Sequence, residues 1–305
     1  MSELSVNTPG SGMAAPGGAA LTTIPYQLLF LDLNGTLVGE TDTISPRTLS
    51  ALHRAQRLGC TPVLCTGRNR CNTLPVADQI GGLGYSIIYS GSVTFDWRDG
   101  RVLARTALPK VTAIQAIQVI LKLGLAPVCE GFEEDDRWIA TDPRFPLPPG
   151  YVTWNSDRLR YVDGIAEQLA RDPIAVGAYG PPDVMRPLAN VCRDTLGPSV
   201  SVIESVSRGY GCSSVEVYPE GVTKVSAAQR LAGSLGIPRE RVLAIGDHVN
   251  DLDVIRWAGW GVCMGDGQLE AREGADYVTG NFADDGVAQA IGQFVLAPAG
   301  QPDAR

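Results

Sequence analysis

Histidine is scarce in this sequence, since the 305 residues contain only His53 and His248. A catalytic triad built on histidine, or a zinc site with several histidine ligands, is therefore nearly excluded. No CxxC pair occurs among the seven cysteines, so the usual spacing of a redox or zinc motif is missing. The odd number of cysteines, several of them in apolar strand-like runs, favours reduced core thiols and a cytoplasmic location.

Long apolar runs and basic clusters are absent as well. No stretch of 18 apolar residues occurs, so no membrane span is expected. The formal net charge is −8 and no basic stripe is present, which argues against nucleic acid as a partner. No GxGxxG motif follows the first predicted strand, so the dinucleotide-binding fingerprint is missing there. An acidic protein still binds phosphates when a metal ion supplies the positive charge.

The first 25 residues differ in composition from the rest of the chain. They are rich in Gly, Ala, Ser, Thr and Pro, and they lack both a basic start and a continuous apolar segment. This composition predicts a disordered tail at 1–25 and argues against a signal peptide. The remaining length is enough for about two domains.

The stretch 26–38 reads YQLLFLDLNGTLV and predicts the strand around which the rest of the fold is arranged. An apolar run that ends in a glycine turn predicts a buried central strand of a parallel sheet. Ligands of open α/β sheets bind beyond the carboxyl ends of the strands, so Asp32 is expected at the mouth of a site. There it suits a nucleophile or a metal ligand. Taken alone, an aspartate that ends a strand and caps a turn is the better explanation.

The order of predicted elements divides the chain. Strands and helices alternate up to residue 91, which is typical of a doubly wound parallel sheet. From 92 the pattern changes to hairpins, one of them turning at Asp99-Gly100, and to helices with one apolar face. Doubly wound order resumes after 210. The sequence therefore predicts an α/β protein with a core domain formed by 26–91 and 211–305 and an inserted α+β domain formed by 92–210.

Four polar clusters, distant in sequence, fall at strand ends or helix starts of the predicted core. They are DLNGT at 32–36, TGR at 66–68, GVTK at 221–224 and GDHVND at 246–251. Each has an ordinary explanation on its own: a turn, a solvated lysine, a helix cap, or a calcium loop without the glycine and glutamate of an EF-hand. Their occurrence together and in this order points to catalysis.

With these motifs the chain resembles the haloacid dehalogenase (HAD) superfamily of hydrolases, and within it the Cof-type sugar phosphatases. The pattern of that group is DxDGT, S/TGR, a lysine after GV, and GDxxND. The likeness extends over roughly residues 26–295. It implies a HAD-like Rossmannoid core with an inserted α+β cap, and a Mg²⁺-dependent phosphatase acting on a small phosphorylated metabolite such as a sugar phosphate.

The resemblance also implies roles for individual residues. Asp32 is the expected nucleophile, which forms an aspartyl-phosphate. Mg²⁺ is expected on Asp32, Asp247 and the backbone carbonyl of Asn34. Thr66 and Lys224 are expected to bind the phosphoryl oxygens. The other implied site residues are Gly67 and Arg68 beside the substrate, Asn250 as a substrate-binding and orienting group, and Asp251 in the shell around the metal.

One departure from the family pattern concerns proton transfer. The second Asp of DxD, which protonates the leaving alkoxide and later activates water, is Asn34 here, and a carboxamide does neither. General acid–base help is typically worth about 10²–10⁴-fold. Three explanations stay open: a leaving group that needs little protonation, an acid recruited from 133–136 or from His248, or a slow hydrolase or non-catalytic phosphate binder. A phosphomutase-like phosphotransferase is a further alternative.

A second departure is Ser90, where the family usually has asparagine before Gly91. The inserted domain is expected to select the substrate by closing over the leaving group. The candidates for that contact are Glu133, Glu134, Asp135, Asp136, Arg137 and Trp138. Neither the substrate nor the oligomeric state follows from the sequence.

Overall fold

The computed structural model describes residues 24–131, 138–207 and 211–300. The strands are β1 (Leu28–Leu31), β2 (Thr61–Cys65), β3 (Tyr85–Ile88), β4 (Val93–Asp96), β5 (Arg101–Arg105), β6 (Val128–Glu130), β7 (Ile139–Thr141), β8 (Leu159–Tyr161), β9 (Ala175–Gly180), β10 (Val200–Ser207), β11 (Cys212–Pro219), β12 (Val242–Gly246), β13 (Trp260–Cys263) and β14 (Tyr277–Val278). The helices are α1 (Pro46–Arg57), α2 (Arg70–Ile80), α3 (Lys110–Lys122), α4 (Pro149–Asn155), α5 (Ile165–Gln168), α6 (Pro182–Leu196), α7 (Lys224–Ser234), α8 (Leu252–Trp257), α9 (Leu269–Glu273) and α10 (Gly286–Ile291). The predicted disordered tail, 1–25, lies outside the described residues except for its last two positions.

The main sheet is mixed. Its eight strands lie in the order β14-β13-β12-β1-β2-β3-β4-β5. Neighbours from β14 to β3 run parallel, whereas β4 and β5 are antiparallel. The central strand β1 lies between β12 and β2 and is buried along its whole length, as expected for a parallel strand covered on both faces. The predicted α/β class is confirmed, with an antiparallel extension at one edge.

Helices cover both faces of the main sheet. Leu29 and Leu31 of β1 join the core that α1 and α10 close, whereas Leu28 and Phe30 join the core that α7 and α8 close. Because both faces are covered, the carboxyl ends of the strands are the open edge at which ligands bind. None of the helices in the described part of the chain is both long and apolar enough to cross a membrane.

The second sheet has six strands in the order β10-β11-β9-β6-β7-β8, antiparallel except for the pair β7–β8. One face packs on α3 and α6, partly through Val176, Ala178, Val215 and Val217. Residues on the opposite face line a cavity together with the carboxyl end of β1. The predicted α+β insertion is thus present as a sheet with helices on one side.

Two segments belong to one domain by the predicted bounds but pair with strands in the sheet of the other. The hairpin β4–β5, assigned to the inserted domain at 92–210, extends the main sheet because β4 pairs with β3. Strand β11, assigned to the core segment 211–305, pairs with β9 and β10 in the second sheet. A turn can be recognised locally, but the sheet that an edge strand joins depends on partners distant in sequence.

A left-handed turn connects β3 to β4 beside the start of α7. Tyr89, Ser90 and Gly91 all have positive φ angles, of 50°, 54° and 112°. The Ser90 N–H donates to the carbonyl oxygen of Thr66 (3.1 Å), so the turn is tied to the loop after β2. A Cβ on Gly91 would lie 2.3 Å from the carbonyl oxygen of Thr223. The glycine therefore lets the backbone approach the residue that precedes Lys224.

We expect Gly91→Ala to destabilise the protein, because alanine is strained at this φ and its Cβ overlaps the Thr223 carbonyl. The strain alone is worth about 1–3 kcal/mol. Gly233→Ala is the matched control: Gly233 lies inside α7 with nothing within 4 Å of an added Cβ. This control should be neutral or stabilise the protein by up to about 1 kcal/mol. Urea unfolding measures both, and equal stabilities would contradict the role given to Gly91.

Candidate active site

Asp32 lies directly after β1, at the centre of the open edge of the main sheet. Its N–H donates to the carbonyl oxygen of Ile245 (3.0 Å) and continues the pairing with β12. Asp32 is only 8 % exposed and lines a cavity of about 460 Å³ between the two sheets. All four predicted motifs reach this cavity, through Asp32, Asn34, Gly35, Thr66, Gly67, Arg68, Lys224, Asp247, His248 and Asn250. Parallel strands with adjacent carboxyl ends bring these motifs together.

Lys224 holds two carboxylates at once. Its Nζ lies 2.6 Å from Asp32 Oδ1 and 2.6 Å from Asp251 Oδ1, and the lysine is 4 % exposed. The lysine is the first residue of α7, whose start is fixed by a capping box: Thr223 Oγ1 accepts from the Ser226 N–H, and Ser226 Oγ accepts from the Thr223 N–H. The ammonium group is therefore positioned by a rigid helix terminus.

Asp251 also fixes the turn that carries Asp247. Its Oδ2 accepts from the N–H groups of Asp247 (3.3 Å) and His248 (3.1 Å), while its Oδ1 binds Lys224. Both carboxylate oxygens of Asp251 are thus engaged. Asp251 therefore orients Lys224.

The acidic cluster fits a divalent cation. Carboxylate oxygens of Asp32, Asp247 and Asp251 all lie within 4.8 Å of one another. Thr36 Oγ1 donates to Asp247 Oδ1 (3.1 Å), and a Cβ on Gly35 would lie 2.4 Å from Asp247 Oδ2. Glycine at 35 therefore lets the turn approach the carboxylate. Hard oxygen donors of this kind suit Mg²⁺.

The protonation of the cluster depends on burial and on mutual repulsion. Burial, with the charge of Asp251, raises the pKa of Asp32 to about 6, although Lys224 opposes the shift. Burial, with the charges of Asp32 and Asp251, raises the pKa of Asp247 to about 8. Burial disfavours the charged form of Lys224, but Asp251 and Asp32 outweigh it and raise its pKa. Lys224 is therefore a permanent cation, and a metal ion at Asp32 and Asp247 competes with protons.

Thr66 presents a hydroxyl group to the cavity from the end of β2. It is 1 % exposed, and its Oγ1 accepts from the Arg68 N–H (3.1 Å). The hydroxyl hydrogen therefore stays available for a ligand oxygen. Ser90, the second departure from the family pattern, contacts this loop through its backbone and has φ 54°, a conformation that asparagine adopts more readily than serine.

The guanidinium group of Arg68 is shared between Asp42 and Asn34. It donates to both carboxylate oxygens of Asp42, at 2.8 Å and 2.6 Å, and also to Asn34 Oδ1. The Arg68 and Asp42 side chains are only 12 % and 14 % exposed. Arg68 therefore lines the cavity as predicted, and it also positions the residue next to the expected nucleophile.

Asn250 offers an unused acceptor at the cavity wall. Its N–H donates to His248 Nδ1 (3.3 Å), while its side-chain oxygen is buried and accepts no hydrogen bond from the residues that the structure describes. Because Asn250 lines the cavity, this oxygen is available to a donor group on a ligand.

The wall of the cavity opposite Asp32 comes from the second sheet and was not predicted from the sequence. Glu130 of β6 and Glu216 of β11 lie opposite Ala175 and Gly177 of the intervening strand β9, on the face that lines the cavity. A Cβ on Gly177 would lie 3.1 Å from Glu216 Cγ, so the small residue leaves room for the carboxyl group. The alternation of polar and apolar residues in β11 (CSSVEVYP) was a usable signal for a two-sided strand.

The two glutamates of this wall hold protons more tightly than exposed ones. Burial, with the charge of Glu216, raises the pKa of Glu130 to about 8. Burial also raises the pKa of Glu216, although the hydroxyls of Tyr179 (2.7 Å) and Tyr218 (3.1 Å) donate to it. The wall is thus rich in acceptors and carries no cation of its own in the described lining.

The substrate-selecting residues predicted at 133–137 lie outside the described residues. Trp138 is described, and its ring lies against the guanidinium of Arg160, whose Cζ is 3.4 Å from the ring centroid. It is not part of the described cavity lining, and a contact with substrate stays a prediction. Strand β6 pairs with β7, and Glu130 of β6 lines the cavity.

Asn72 of α2 joins the main sheet's helices to the second sheet. Its side-chain oxygen accepts from Trp154 Nε1 (3.1 Å) and from the guanidinium of Arg158. Arg158 is 4 % exposed and also donates to Asn155 Oδ1, at 3.1 Å through Nε and 2.9 Å through Nη2. These buried contacts hold the second sheet over the cavity.

We expect Lys224→Met to lower the free energy of unfolding by about 3–5 kcal/mol, because it leaves two buried carboxylates without their cation. Lys122→Met, at the exposed end of α3, is the matched control and should change stability by less than about 0.5 kcal/mol. Urea unfolding without divalent cations measures both variants. Equal effects would show that the buried ammonium is not a structural support.

The known proteins that this chain resembles belong to one family of hydrolases. The chain matches the model of the haloacid dehalogenase-like hydrolases over residues 29–291. Similar curated proteins include the putative phosphatase YxeH of Bacillus subtilis, 26 % identical over 279 residues that cover 89 % of this chain and 99 % of that protein. Another is an HMP-PP phosphatase of Serratia proteamaculans, 27 % identical over 282 residues that cover 90 % of this chain and 97 % of that protein.

Solved structures show the same architecture. A haloacid dehalogenase-like hydrolase from Bacteroides thetaiotaomicron is 27 % identical and superposes with a TM-score of 0.75, covering 87 % of this chain and 98 % of that one. A HAD subclass IIB sugar phosphatase has a TM-score of 0.71 at 22 % identity, covers 87 % of this chain and 97 % of that one, and so supports the fold alone. The resemblance that the motifs suggested is confirmed by a family match over most of the chain. The protein belongs to the family of haloacid dehalogenase-like hydrolases.

Proposed function

We propose that this protein is a Mg²⁺-dependent phosphatase that hydrolyses a small phosphorylated metabolite through an aspartyl-phosphate on Asp32. The observation that carries the proposal is the position of Lys224, whose ammonium binds Asp32 in the cavity between the two sheets, beside the carboxylate of Asp247. A carboxylate with an adjacent fixed cation suits nucleophilic attack on a phosphoryl group, whose own charge otherwise repels it.

Asp32, Lys224 and Thr66 each have a separate role in phosphoryl transfer. Asp32 attacks phosphorus with the carboxylate oxygen that Lys224 does not hold, and Lys224 neutralises the phosphoryl oxygens. The hydroxyl of Thr66 donates to another of those oxygens. Asp32 and Asp247, with the backbone carbonyl of Asn34 in the same turn, would hold Mg²⁺, which supplies charge neutralisation for the transferred group. Water then hydrolyses the aspartyl-phosphate and restores the carboxylate.

A small metabolite fits the size and lining of the cavity. Its volume of about 460 Å³ is within the range of about 300–1,000 Å³ that small-molecule sites occupy. Relatives have names that point the same way, such as a 5-amino-6-(5-phospho-D-ribitylamino)uracil phosphatase of Bacillus subtilis, 25 % identical over 277 residues that cover 90 % of this chain and 99 % of that protein. Asn250 and the second-sheet glutamates would accept hydrogen bonds from donor groups on the leaving group.

We expect Asp32→Ala to abolish turnover, with at least about a 10³-fold loss, because the nucleophile is removed. The test is hydrolysis of a phosphate-ester panel with Mg²⁺, together with acid-quench trapping of labelled phosphate on the wild-type protein. Trapped label that maps to Asp32 supports the proposal. Surviving activity in Asp32→Ala refutes the covalent route, and binding without turnover or trapped label assigns the chain to phosphate binding alone.

We expect Mg²⁺ to bind more tightly as the pH rises from 6 to 9. The raised pKa values of Asp32, about 6, and Asp247, about 8, mean that protons occupy the ligands at lower pH and must leave when the cation binds. Calorimetry in two buffers of different ionisation enthalpy measures the proton release. Asp247→Asn should abolish binding, and Asp253→Asn, at an exposed position, should not change it. An affinity independent of pH would contradict this assignment.

A further inference from the structure

The contact between Arg68 and Asn34 determines which way the Asn34 amide faces. A guanidinium group has five N–H donors and no acceptor, so the Asn34 atom that it meets must be the oxygen. The amide nitrogen therefore points away from Arg68. Asn34 follows Asp32 by two residues and lines the same cavity, so its N–H₂ group is the part of the side chain that remains to donate to a ligand.

The orientation of this amide is held by a chain of contacts. Asp42 fixes Arg68 through two hydrogen bonds, and the carbonyl oxygen of Asp42 accepts from Gln79 Nε2 (2.7 Å). The carbonyl oxygen of Asn72 accepts a third hydrogen bond from Arg68 (3.3 Å). A planar guanidinium that already makes three hydrogen bonds to two residues loses little entropy when it also binds Asn34.

The buried carboxyl groups of the cavity have other partners. Asp251 binds Lys224 and two backbone N–H groups, and Glu216 accepts from two tyrosine hydroxyls. Beside Glu130, Arg158, Tyr151 and Asn69 favour the charged form of the carboxyl group and oppose the rise in its pKa. Asn34, two residues after Asp32, carries an amide, which donates a hydrogen bond but transfers no proton.

We propose that Asn34, held by Arg68 and Asp42, is a hydrogen-bond donor to the leaving-group oxygen, and that the enzyme is therefore selective for aryl or enol phosphates, whose leaving groups depart as stable anions. The inference rests on the proposed function and names its substrate class. Asp32 forms a bond to phosphorus, and the P–O ester bond breaks with its electron pair on the departing oxygen. The phenolate or enolate leaves as the anion. Water then attacks the aspartyl-phosphate, releases phosphate, and gives its proton to solvent.

The charge of the cavity favours a leaving group without negative charge of its own. Among the described residues that line the cavity, Arg68 is the one arginine and Lys224 the one lysine. Both are paired with carboxylates. The wall opposite Asp32 carries Glu130 and Glu216, with the aromatic rings of Trp154 and Tyr179 beside them. A diphosphate also has a good leaving group, but its leaving phosphate is an anion, for which the described lining of this wall supplies no cation. An uncharged or cationic aromatic or enol body is the better match.

The test measures kcat/KM for the Mg²⁺-loaded full-length protein with esters of graded leaving-group acidity. The series comprises 4-nitrophenyl phosphate, phenyl phosphate and a simple alkyl phosphate, with inorganic pyrophosphate as the anionic case. This parameter covers the steps up to release of the leaving group, so the shared hydrolysis of the aspartyl-phosphate does not contribute. We expect the alkyl ester to be at least about 100-fold poorer than 4-nitrophenyl phosphate, since the amide of Asn34 cannot protonate its departing oxygen.

Variants separate the role of the amide from a merely structural one. Asn34→Ala should lower kcat/KM by about 10- to 100-fold and make it depend more steeply on leaving-group acidity, because a hydrogen bond to developing charge is lost. Asp42→Asn should steepen the same dependence by freeing Arg68, which makes Asp42 a positioning residue. Asn34→Asp should raise turnover of the alkyl ester and flatten the dependence. A purely structural role would lower all esters equally.

The outcomes also separate this inference from the proposed function. Equal wild-type rates for alkyl and aryl esters, or equal losses for all esters in Asn34→Ala, overturn the inference while leaving an aspartyl-phosphate enzyme intact. Pyrophosphate cleaved as well as 4-nitrophenyl phosphate overturns the choice of an uncharged body. No turnover of any ester and no trapped phosphate on Asp32 refute the proposed function itself.

Discussion

The hydrogen-bonded ion pairs of Lys224 are the constraint on which the site depends. One ammonium group joins the end of β1, through Asp32, to the turn after β12, through Asp251, from the first residue of α7. Three segments that are far apart in sequence are thereby fixed within a few ångströms. Because all three charges are buried, none can move without leaving another uncompensated. The buried ion pairs that shape the candidate site therefore also stabilise the fold.

The two sheets contribute different chemistry to one cavity. The main sheet supplies Asp32 and Asp247 at the carboxyl ends of parallel strands, and the start of α7 beside them supplies the fixed cation of Lys224. The second sheet supplies a wall of carboxyl and aromatic groups on the face that its helices leave uncovered. Under the proposed function, substitutions in β6 or β11 would alter contacts with the body of the leaving group and have little effect on the groups around Asp32.

The motifs of the main sheet could be predicted from sequence because they obey a local rule. An apolar strand followed by polar residues places Asp32 and Asp247 at the same sheet edge whatever the rest of the chain does. Family resemblance added their roles. Glu130 and Glu216 escaped prediction because their meeting depends on antiparallel register across β9, and the placement of β4, β5 and β11 depends on partners far away in the chain. The partners of Arg68 were also missed, since Asp42 lies in a loop whose path has no periodic signal.

The side-chain oxygen of Asn72 has a consequence for the way the cavity admits a ligand. A carbonyl oxygen has two lone pairs, and here Trp154 and Arg158 take one each. Separating the sheets breaks both contacts together and requires a guanidinium that is now 4 % exposed to be hydrated again. Any widening of the cavity that moves the second sheet away from α2 therefore carries the cost of leaving a buried guanidinium without its partner.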